Sequence, residues 1–137
     1  MNQHPLIKTF CDAVDQGEII DSSMAEISDD DSAVTYSISK FYNLETSANF
    51  NVLDFLAEFK KKYRTYDIEA NDDGFVLSKE LCGFLLNYEL DIFDGSLKLE
   101  IYTTGSSDNS PELIKELAGV MLEEFSSFHG LLYKNNN

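Results

Sequence analysis

Basic residues are scarce in this chain. Its 137 residues carry 10 Lys and Arg against 25 Asp and Glu, a formal net charge of −15. That balance argues against nucleic acid and anionic membranes as partners, because both are held by a positive face. Cysteine is scarcer still. Cys11 and Cys82 are isolated, without CxxC spacing, and read as two buried, reduced thiols rather than a disulfide framework or a zinc site. Of the two histidines, His4 lies near the start of the chain and His129 near the end of a helical pattern, and neither has a catalytic motif around it. No GxSxG, P-loop, HExxH or dinucleotide fingerprint is found, so neither enzyme activity nor a cofactor is expected. No apolar run approaches the roughly 20 residues that span a bilayer. The opening "MNQHPLIKTFCDAVDQ" lacks the charged and apolar regions of a signal peptide, and a cytoplasmic location is the expectation.

There is ample material for a core. Hydrophobic residues make up 43% of the chain, including ten Phe and seven Tyr, which argues against disorder despite the charge. The length suits a single domain over residues 1–137, able to bury about two-thirds of its unfolded surface.

Periodicity divides the chain. Leu6, Ile7, Phe10, Ala13 and Val14 recur at helical spacing and predict a helix over 5–16, with Gly17 as its stop. From Asp12 to Asp31 the chain carries eight acids (Asp12, Asp15, Glu18, Asp21, Glu26, Asp29, Asp30, Asp31) and no base. Its weak periodicity reads as loop with at most one short element. Val34, Tyr36 and Ile38 then alternate with polar residues, as in a half-buried strand. Val52, Phe55, Leu56, Phe59 and Tyr63 form a helical stripe over 51–63, and the Lys60–Arg64 cluster sits where positive charge suits the end of a helix. Tyr88, Leu90 and Ile92, then Leu97, Leu99 and Ile101, alternate on either side of Asp94-Gly95, a strong hairpin signature. A last helix over 111–129 is capped by Ser110, begins with Pro111, and carries Leu113, Leu117, Val120, Met121, Phe125 and Phe128 on one stripe. Gly130 marks its expected stop.

The stretch "EANDDGFVLSKEL" supports two readings. With Gly74 at the sixth position it resembles an EF-hand loop, placing Glu69, Asn71, Asp73 and Glu80 at the first, third, fifth and twelfth positions as calcium ligands. Glu69 stands where that motif has Asp, Leu77 falls at a usually polar position, and the chain has no convincing second loop. The competing reading is a hairpin, with Tyr66, Ile68 and Ala70 alternating before the turn residues Asn71–Gly74 and Phe75 and Leu77 resuming after them. The hairpin is favoured because it supplies strands the later hairpin needs. Residues 78–88 suit either a helix or a strand.

The expected fold is therefore α+β: an antiparallel sheet of about four to five strands packed against about three helices, near 5–16, 51–63 and 111–129. In size, acidity and lack of catalytic motifs the chain is similar to bacterial immunity proteins, a resemblance resting on composition alone. It implies a protein that inhibits or neutralises a basic partner, such as a nuclease toxin or a secreted effector. The candidate partner-binding residues are Asp29, Asp30, Asp31, Glu26 and Asp21 of the acidic segment and Glu89, Asp91 and Glu100 of the hairpin. Type III secretion-type chaperones look similar on the same grounds. They place several strands between their first two helices, where this sequence shows one secure strand.

Overall fold

The computed structural model describes residues 5–14, 22–43, 57, 61, 68–71, 74–93 and 95–135. In chain order the elements are α1 (Pro5–Val14), β1 (Ser22–Ile27), β2 (Ala33–Asn43), β3 (Ile68–Asn71), β4 (Gly74–Leu81), β5 (Phe84–Phe93), β6 (Ser96–Ser106) and α2 (Pro111–Asn135). The strands form one sheet in the order β1-β2-β6-β5-β4-β3, with every neighbouring pair antiparallel. The α+β class and the antiparallel sheet are as expected, but the sheet has six strands rather than four or five. Two helices fall among the described residues. Apart from Ala57 and Lys61, the helix expected over 51–63 lies outside them.

Three tight connections fold β3 to β6 into a meander. Asn71 pairs with Gly74, where the β3–β4 ladder closes. Leu81 pairs with Phe84 across Cys82 and Gly83, whose φ angles of 56° and 82° both lie in the left-handed region, as a two-residue I′ turn requires. This settles residues 78–88 as two strands and a turn. Phe93 pairs with Ser96 across the Asp94-Gly95 turn, with Gly95 at φ 75°.

Strand alternation sends one side chain set inward. Val34, Tyr36, Ile38, Phe75, Leu77, Leu86, Tyr88, Leu90, Leu97, Leu99 and Ile101 are all buried. Both helices cover this side: α1 lies on β1 and β2, α2 lies on β6 and β2, and the helices pack on each other. From α1 come Leu6, Phe10 and Val14, one per helical turn. From α2 come Ile114, Leu117, Ala118, Met121 and Phe125, so Ile114 rather than Leu113 is the fully buried member of that turn. Ser110 caps α2 as expected, its hydroxyl accepting from the Leu113 amide at 3.2 Å. The expected stop at Gly130 is a correction: α2 runs on to Asn135, because glycine inside a helix costs only about 1 kcal/mol and no proline follows to break the turn.

β1 is the one short element allowed for in the acidic segment, an edge strand in which Ala25 alone is buried while Met24 points to solvent. Across the layers, Glu124 of α2 accepts from both Lys79 Nζ (2.6 Å) and the Tyr88 hydroxyl (2.5 Å), tying the helix to β4 and β5.

Candidate functional site: the uncovered face of the sheet

The helices occupy one side of the sheet and leave the other without a covering element among the described residues. Register determines which side chains share that open face. Ser39, Glu100, Glu89 and Val76 lie in one row across β2, β6, β5 and β4, and Glu69 of β3 holds the next register position. The adjoining row on one side runs Phe41, Lys98, Asp91 and Gly74. On the other it runs Met24, Ser37, Tyr102, Asn87 and Ser78.

Two properties meet on this face. The first is apolar exposure. Met24, Phe41, Val76, Leu85 and Phe93 are the exposed large hydrophobics among the described residues, and strand alternation puts all five on the open side. None of the five is a register partner of another, and Leu85 and Phe93 stand at opposite ends of β5, so they surround the centre of this face singly rather than as one continuous patch.

The second property is unbalanced charge. Glu89 and Glu100 are direct cross-strand partners, and like charges so placed oppose folding. Burial pushes the Glu89 carboxyl above its ordinary value, and the charges of Glu100 and then Asp91 push the same way while Lys98 opposes them. Burial, followed by the charges of Glu89 and Glu100, likewise raises the Tyr102 hydroxyl. Lys98 is already engaged, lying 3.5 Å from a Glu100 oxygen and 6.0 Å from the centre of the Phe41 ring. Hydroxyl pairs complete the face, Ser22 with Ser39 at 2.7 Å and Thr35 with Thr104 at 3.0 Å.

The structure distributes the sequence's candidate residues unevenly. Glu89, Asp91 and Glu100 come together at the middle of the open face, and Glu26 lies on the same face at the β1 edge, in register with Thr35. Asp21 lies outside the described residues, as do Asp15 and Glu18. Asp12 is exposed on α1, in the opposite layer. The acidic segment is thus not one surface.

Asp29, Asp30 and Asp31 form the turn between β1 and β2. Asp30 holds that turn together. Its carboxylate accepts from the Ser28 hydroxyl (2.5 Å), the Ser32 hydroxyl (2.6 Å) and the Ser32 amide (3.1 Å). These bonds, the one from Ser28 first, hold its carboxyl down at about 2. Asp31 takes a left-handed backbone (φ 59°), and its carbonyl accepts from Ser107.

A pH dependence follows. The folded state depresses the Asp30 carboxyl, so the stability it contributes is present above the ordinary Asp range and lost as pH falls toward about 2. In an NMR titration the Ser32 amide should report a midpoint near 2. Asp30→Asn should unfold with less acid dependence between about pH 4 and 2 than wild type. A Ser32 midpoint near the ordinary 3.8 would mean that these bonds do not form.

The calcium reading does not survive the register. Asn71 closes the β3–β4 turn, but Glu80 lies six residues beyond Gly74, paired with Leu85 at the far end of β4. At about 3.3 Å per residue, Glu80 stands roughly 20 Å along the strand from the turn, too far to share an ion with Asn71. Asp73 lies outside the described residues.

A groove of about 560 Å³ lies between the helices, lined by Lys8, Asp12, Lys115 and Gly119 among others. It has mixed charge and none of the five exposed hydrophobics.

Sequence reasoning found the three hairpin acids by alternation but missed Tyr102 and the apolar set. Extending the alternation through "FLLNYELDIF" would have placed Leu85 and Phe93 on the Glu89 face. The described residues form an α+β arrangement whose sheet carries, on the side away from α1 and α2, an acidic centre with singly exposed hydrophobics around it. No family model, curated protein or solved structure matches the chain.

Proposed function

We propose that this chain is a binding module that neutralises a basic protein partner in the manner of a toxin-immunity protein, and that it does so through the face of its sheet opposite α1 and α2. The observation carrying this reading is coincidence in space. The exposed large hydrophobics and the mutually repelling acids Glu89, Asp91 and Glu100 share one face that no described element covers. Apolar area supplies affinity, and a net charge of −15 supplies steering and selects a basic partner over a neutral one. Against a nuclease toxin, such carboxylates would occupy the surface that otherwise takes phosphate. The same charges disfavour a second copy of this chain seated face to face, since each acidic centre would meet another.

The test is purification of the partner on wild-type bait, followed by association kinetics with two variants. Glu89→Lys/Glu100→Lys should slow association by more than about tenfold and flatten its salt dependence. Asp29→Ser/Asp31→Ser, which spares the turn-holding Asp30, should leave the rate near that of wild type. The reverse pattern would move the interface to the β1–β2 turn and overturn the sheet-face reading.

One observation favours a second reading. Type III secretion-type chaperones place several strands after the first helix, and β1 adds a second strand between α1 and residues 51–63. Those chaperones are dimers. A monomer by light scattering at micromolar concentration would remove that reading, and a dimer would promote it.

A further inference from the structure

We draw no further inference here: the strongest candidate, the groove of about 560 Å³ between α1 and α2, is walled by the exposed side chains of Lys8, Asp12 and Lys115, which carry both signs of charge, and nothing in the structure shows what covers it.

Discussion

Replacing Phe125 with Ala should cost about 3–5 kcal/mol of folding stability, the range for removing an aromatic ring from a packed core. The ring is completely buried. It continues the stripe of Ile114, Leu117, Ala118 and Met121, with which α2 faces the core. Truncation removes the transfer energy of the ring and leaves a cavity that neighbours on a rigid sheet can fill only partly. With domain stabilities commonly about 5–15 kcal/mol, the variant should remain folded only at low urea, and its midpoint should fall sharply without a change in slope. Phe125→Leu should lose much less, since it keeps most of the volume. A loss below about 1 kcal/mol for the alanine variant would mean that this side of α2 is exposed. The apolar surface available for binding would then lie on the helix layer and not on the sheet.

The same stripe shows how much of the fold could be read from sequence. Where side chain chemistry follows a single period, the reading holds. In β5 and β6, Tyr88, Leu90, Leu97, Leu99 and Ile101 alternate with charged residues around Asp94-Gly95, and all five are buried. The pairing of β3 with β4 was legible from the turn residues between them: Asn, Asp and Gly are the residues that tolerate turn backbones. Reading fails where a residue's position contradicts its chemistry. Met24 is the largest side chain of β1 and points to solvent, so the strand has no alternation to detect. Between β4 and β5, Leu81, Phe84, Leu85 and Tyr88 fit a helical period. The turn that separates them uses Cys82 at positive φ, outside the usual turn vocabulary.

The site divides in the same way. Glu89, Asp91 and Glu100 were legible because alternation sends them to one side of adjacent strands. Their surroundings were not. Phe41 meets Lys98 only because β2, from the first half of the chain, pairs with β6 from the second. Local pattern does not encode such a long-range pairing. Nor does the sequence say which of its many hydrophobics stay exposed, because that depends on α1 and α2 lying on the same side of the sheet.

Gly74 is where the two readings of the acidic loop make opposite demands, and it carries the other large effect. In a calcium loop this glycine would permit a sharp bend around an ion, and its replacement would matter most when the ion is bound. In the hairpin it begins β4 directly opposite Asp91, at φ 156°, with the backbone of β5 pressed against it. A β-carbon there would fall 1.8 Å from the Leu90 carbonyl oxygen and 2.8 Å from its carbonyl carbon. Both are backbone atoms of a central strand, which cannot swing aside as a flexible side chain could. Gly74→Ala must therefore push β4 away from β5 at the pair that starts their ladder. The expected cost is about 3 kcal/mol, the upper end of the range for overpacking. The displacement should appear as amide shifts at residues 75–77 and 89–91. Because the clash is steric, the loss should be the same in excess chelator and in millimolar calcium. A loss appearing only with calcium, with wild type stabilised by the ion, would restore the metal loop and overturn the hairpin. An alanine variant as stable as wild type in both conditions would mean that the backbones of β4 and β5 do not approach this closely at Gly74.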